Sequence, residues 1–171
     1  MAKAVTLQDL VRDLAEAGER PAVLTVDGTD VETRTYGEIG TAALGLARGL
    51  MADGLQPGDP VIVVGPNSAD MVTVRLALAA VGALTVPIDD LSSEHEIGVV
   101  VRASRASRVF TSASHLASVR KAVAETGGRA WRLDAGDDET PGWRALVADT
   151  GPELPKLDPE QATVLVYTSG T

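Results

Sequence analysis

Val61-Ile62-Val63-Val64-Gly65-Pro66-Asn67-Ser68 opens a unit that closes at Leu84-Thr85-Val86-Pro87-Ile88. The first four residues are all β-branched and apolar, the composition of a short strand buried on both faces. Gly65, Pro66 and Asn67 turn the chain, and Ser68 stands where a helix N-cap would stand. Met71, Val74, Leu78 and Val81 then recur at helical spacing until Gly82 ends the run. Strand, helix and strand within 28 residues predict a parallel pair with a right-handed crossover.

The same alternation continues downstream. Ser93 and Glu96 match a capping box, with a helix following through Ile97, Val100 and Val101. Val109-Phe110-Thr111 reads as a strand, Ser114 to Thr126 as a helix, and Ala130 to Leu133 as a strand. Asp134 to Leu157 is rich in Gly, Pro and acids, so it reads as an irregular connection with one short helix around Trp143 to Val147. Asp158-Pro159-Glu160-Gln161 repeats the capping logic with Pro at the first helical position, and Ala162 to Tyr167 reads as a strand.

Upstream, Leu7, Leu10, Val11 and Leu14 predict an amphipathic helix with one buried stripe, ended by Gly18. Ala22 to Val26 and Val31 to Thr35 flank Asp27-Gly28, a hairpin signal. Thr35 and Glu38 form another capping box, opening a helix with Ile39, Ala43, Leu46, Ala47 and Leu50 on one face that stops near Gly54. The fold class that follows is α/β, with a mostly parallel sheet flanked by helices.

Composition narrows the function. With 171 residues the chain suits one domain, and 44% hydrophobic residues exclude a disordered chain. A net charge of −9 and a pI near 4.6 argue against nucleic acid as a partner. The absence of cysteine excludes disulfides, thiolate metal sites and a cysteine nucleophile. The N-terminus lacks a signal-peptide core, and the most apolar stretch, Leu76 to Val86, has 11 residues where a membrane span needs about 20. The expectation is a soluble, cytoplasmic protein with no membrane span.

Standard nucleotide and hydrolase signatures are missing: no G-x-G-x-x-G after a strand, no G-x-x-x-x-G-K-[ST], and no G-x-S-x-G. Gly45 and Gly49, four apart in a helix pattern, read as a site of close packing. His95 and His115 read as surface or helix-end residues, and Asp89-Asp90 as a turn after a strand. Arg102, Arg105 and Arg108 read as a solvated helix end. No catalytic residue and no metal ligand is assigned. One constellation remains, an apolar strand running into Thr168-Ser169-Gly170-Thr171. Glycine lets the backbone approach an anion, successive N–H groups can form a nest, and hydroxyls add donors. By itself the tetrapeptide fits an ordinary turn as well as a phosphate loop.

Tyr167-Thr168-Ser169-Gly170-Thr171 resembles the opening of the signature loop of the adenylate-forming (AMP-binding) enzymes. That superfamily includes acyl-CoA synthetases, luciferases and the adenylation domains of peptide synthetases. Thr35-Tyr36-Gly37-Glu38-Ile39 resembles its first core motif, and Leu78 to Ile88 its second. Gly54 to Val61 and Pro66-Asn67-Ser68 resemble the segment between them. The resemblance implies the N-terminal subdomain of an adenylation domain over residues 1–171, ending inside the phosphate loop before its lysine. It implies Thr168, Ser169, Gly170 and Thr171 as nucleotide contacts, with ATP and Mg²⁺ serving the full-length enzyme and coenzyme A as co-substrate.

The implied reaction makes an acyl-adenylate from a carboxylic acid and transfers the acyl group to coenzyme A. These residues alone are expected to be inactive, to hold no bound cofactor and to be prone to self-association. Two other readings stay open. One is an adenylation domain that loads a carrier protein, which Pro87-Ile88-Asp89 also suits. The other is a non-enzymatic α/β module.

Overall fold

The computed structural model describes residues 5–168. Helix α1 (Leu7–Glu16) leads to a hairpin of β1 (Pro21–Asp27) and β2 (Asp30–Thr35), paired antiparallel. Helix α2 (Tyr36–Ala52) follows, then β3 (Pro60–Val64), α3 (Ala69–Val81) and β4 (Leu84–Ile88). Helix α4 (Glu94–Ser104), β5 (Arg108–Thr111), α5 (Leu116–Thr126) and β6 (Arg129–Arg132) complete the regular elements. The second sheet is parallel in the order β4-β3-β5-β6.

Strand β3 shows why the sheet is covered on both faces. Val61 and Val63 join a cluster with Val11, Leu46, Leu50, Val74 and Leu78, drawn from α1, α2 and α3. Ile62 and Val64 point the other way, into a cluster with Ile97, Val101, Val119 and Val123 from α4 and α5. Alternate residues of a strand face opposite sides, so a wholly apolar run needs helices on each side. The connection from β3 runs to β4 on one side, whereas that from β5 runs to β6 on the other. The arrangement is doubly wound, and it bears out the parallel sheet flanked by helices expected from the alternation of elements.

The caps stand where the sequence places them. Thr35 Oγ1 accepts from the Glu38 N–H at 3.2 Å while Glu38 Oε2 accepts from the Thr35 N–H at 2.8 Å. Ser93 and Glu96 make the same exchange, and Ser68 Oγ accepts from the Met71 N–H at 3.1 Å. Thr6 and Asp9 form a further box that the sequence reading did not include.

Helix α1 departs from its predicted stripe. Val11 is buried, but Leu7 and Leu10 are 44% and 43% exposed, and the polar Gln8 is only 4% exposed. The cause lies in α2. A Cβ at Gly40 would collide with the Ala15 backbone, so the two helices cross in direct backbone contact. That crossing turns Gln8, Val11 and Ala15 inward and leaves two leucines outside.

Other boundaries also differ. The chain before α5 forms a 3₁₀ turn over Ala113–His115, and the short helix expected near Trp143 is a 3₁₀ turn over Trp143–Leu146. That second turn lies against α2, where Gly49 faces the Leu146 carbonyl and the Gly45 carbonyl accepts from the Ala148 N–H at 3.1 Å. Close packing at Gly45 and Gly49 is thus borne out, with a downstream strap as the neighbour. Arg108 is not part of a helix end: it starts β5 and pairs with Asp53 at 3.1 Å.

Candidate phosphate-loop approach

The segment expected to form a strand over Ala162–Tyr167 makes a single parallel bridge, Thr85↔Val164, beside the free edge of β4. The Thr85 N–H donates to the Thr163 carbonyl and the Leu165 N–H to the Thr85 carbonyl, both at 2.9 Å. Val164, Leu165, Val166 and Tyr167 remain 46%, 36%, 62% and 39% exposed. Pairing on one edge alone, with little cover for the side chains, accounts for a bridge in place of a strand.

Direction gives the bridge its meaning. Because the segment runs parallel to β4, it points toward the carboxyl edge of the sheet, where Gly65, Asp89 and Ser112 also lie. Open α/β sheets bind ligands outside that edge. Thr168 is exposed there, while Ser169, Gly170 and Thr171 lie outside the described residues.

The approach to the loop is fastened upstream. Gln161 Nε2 donates to the Gly82 carbonyl at 2.6 Å, at the left-handed C-cap of α3. Asp158 organises the preceding turn by accepting from the Glu160 N–H at 2.9 Å. Gln8 Nε2 donates to the Ala80 carbonyl at 2.7 Å and to the Pro155 carbonyl at 2.9 Å. The sequence reading did not single out Gln8 or Gln161. Each pairs with residues 72 to 147 positions away, beyond the reach of any local pattern.

The remaining polar groups serve the scaffold. Asp89 Oδ1 accepts from the Leu91 N–H at 2.8 Å, the turn expected of that pair. His115 Nε2 lies 2.8 Å from the Asp90 carbonyl oxygen and 3.1 Å from its carboxylate, tying the turn before α5 to the end of β4. The Thr35 N–H beside Glu38 and the Ser93 N–H beside Glu96 hold both carboxyls below the usual glutamate range. The Arg132 guanidinium lowers Asp134, whereas the Thr140 N–H is the largest cause lowering Asp137. None of these groups touches residues 162–168. Among the described residues, no group of three or more His, Asp or Glu is arranged to hold a metal. No helix among them is long and apolar enough to cross a membrane.

Residues 10–171 match the AMP-binding enzyme family. 4-Coumarate–CoA ligase 5 of Oryza sativa subsp. japonica is 30% identical over 162 residues, covering 91% of this chain and 29% of that protein. Nonribosomal peptide synthetase tcpP of Claviceps purpurea is 30% identical over 175 residues, covering 98% of this chain and 8% of that protein. Among solved structures, a long-chain-fatty-acid-CoA ligase from Archaeoglobus fulgidus superposes with a TM-score of 0.82 at 25% identity. That match covers 100% of this chain and 36% of the other. The chain spans less than a third of the length of these curated relatives. With its doubly wound sheet and the match over residues 10–171, the chain belongs to the AMP-binding enzyme family.

Proposed function

We propose that this chain is the N-terminal part of an ATP-dependent, AMP-forming acid–thiol ligase, with coenzyme A as the acyl acceptor. The observation that supports the reading is the parallel bridge at Thr85, which directs residues 164–168 toward the carboxyl edge of the sheet. In this reading Thr168, Ser169, Gly170 and Thr171 contact the phosphates of ATP. Their N–H and hydroxyl donors stabilise the charge that develops as pyrophosphate leaves. The carboxylate substrate attacks the α-phosphorus to give an acyl-adenylate, and the thiol then displaces AMP. The described residues fit no magnesium site, so no step is assigned to a metal held by them.

Titration of the purified chain with MgATP, followed by backbone amide NMR, tests the loop assignment. Amide shifts confined to residues 168–171 and their neighbours are expected; saturating MgATP without any change there would overturn it. In this reading the carboxylate pocket belongs to the rest of the longer enzyme, so the same chain is expected to show no ATP–pyrophosphate exchange. Exchange above the protein-free background would refute that expectation.

The peptide-synthetase relative favours a second reading, an adenylation domain that loads a carrier protein. Assaying the longer polypeptide with free coenzyme A and with a carrier protein separates the two by which thiol becomes acylated.

A further inference from the structure

Gln8 is a buried polar side chain on α1, one of two buried residues of that helix together with Val11. Its amide spans two segments that are remote in sequence. One N–H reaches the Ala80 carbonyl in the last turn of α3, the other the Pro155 carbonyl in the connection leading to residue 168. Both partners are pure acceptors, so only the nitrogen of the amide can face them. The last carbonyls of a helix have no partner within it, which makes α3 a source of unpaired acceptors. Gln8 satisfies one of these at Ala80, and Gln161 adds a second donor to the Gly82 carbonyl, which also accepts from the Gly58 N–H at 2.8 Å.

Leu157 fills the space between these two fastenings, with its side chain pressed against Gly82. From Pro155 to Leu165 the chain is therefore held at successive points on α3 and β4: by Gln8, by Leu157 with Gln161, and by the two hydrogen bonds of Thr85. Those last two bonds set the register of Val164 against β4, and residue 168 follows four residues later. A one-residue slip there would turn every side chain of the segment to the opposite face.

We infer that Gln8 is a positioning residue for the phosphate loop. By holding Pro155 against the end of α3, it fixes where the segment docks on β4 and so where Thr168 stands. The inference rests on the phosphate-loop reading only for its functional consequence; the docking itself can be judged independently.

The test compares the full chain with its Gln8→Met variant, which keeps the volume and removes both donors. Amide hydrogen exchange is followed at Leu165, which donates to Thr85, and at Val109 in the interior strand β5. In Gln8→Met, exchange at Leu165 is expected to quicken at least tenfold more than at Val109, and the MgATP dissociation constant to rise severalfold. Equal changes at Leu165 and Val109 would overturn the inference, because they would mark a general loss of stability. Unchanged MgATP affinity alongside lost protection would overturn the functional half.

Should Gln8→Met fail to fold, Gln161→Met, on a half-buried residue, is expected to give the same selective loss at Leu165, and its absence would count against the clamp. If the parent chain shows no response to MgATP, the phosphate reading fails. The exchange data still decide whether Gln8 positions the segment.

Discussion

At the scale of single residues, two glycines on one helix face make a contrast. A Cβ at Gly49 would occupy the position of the Leu146 carbonyl, a backbone group that cannot swing aside. At Gly45 the nearest atom is Val147 Cγ1 at 2.8 Å, the end of a side chain that can rotate. Alanine in a helix interior gains about 0.5–1 kcal/mol over glycine, while overpacking costs about 1–3 kcal/mol. Gly49→Ala is therefore expected to destabilise by about 1–2 kcal/mol and Gly45→Ala to be nearly neutral, as urea unfolding of each variant would show. The spacing of the two glycines was legible in the sequence, but the strap they receive was not, since it lies about a hundred residues downstream. The leucine stripe of α1 misled for a related reason. Periodicity reports which residues could face a core, and only the contact at Gly40 decides which do.

At the scale of elements, the capping boxes at Thr35 and Ser93 are legible because each is encoded within four residues as Ser or Thr followed by Glu, whereas the box at Thr6 uses Asp9 and escapes that pattern. Thr35→Ala should cost about 1 kcal/mol, measurable as a lower unfolding midpoint. The partner carboxylates add a pH dependence. Glu38 and Glu96 sit below their ordinary value of 4.5 in the folded chain, so the stability they contribute is present above that pH and is lost as pH falls through their folded values. Thermal unfolding followed across the acid range should show a midpoint that declines with acidification. In Glu38→Gln, which cannot ionise, that decline should be shallower; an identical slope would show that the Glu38 carboxylate carries none of it. The segment at 162–167 was the element least legible. Its apolar run suits a strand, yet a strand also requires a neighbour, and β4 supplies only a bridge.

For the whole molecule, the order β4-β3-β5-β6 followed from the alternation of elements in kind but not in sequence of strands. Which way each crossover runs depends on how α3, α4 and α5 divide between the two faces, a matter of packing among distant residues. The same architecture leaves apolar surface on one side. Leu7, Val72, Leu76, Ala79 and Val164, with Arg75, Thr85 and Thr163, line a groove of about 280 Å³, and Val166 and Tyr167 further along the chain are exposed. Exposed apolar grooves beside a strand edge favour association. Light scattering on the purified chain should show an apparent mass that rises with concentration; a constant monomer mass would refute this.

Strand β3, placed between β4 and β5, also bears on how the chain emerges from the ribosome. All four strands of the parallel sheet are in hand once Arg132 is synthesised, and each joins an edge already available. The strap and the segment beside β4 come later, onto a sheet that needs no rearrangement to receive them. The position of residues 162–168 is therefore set after the sheet during translation and, being held by few bonds, is released early when stability falls.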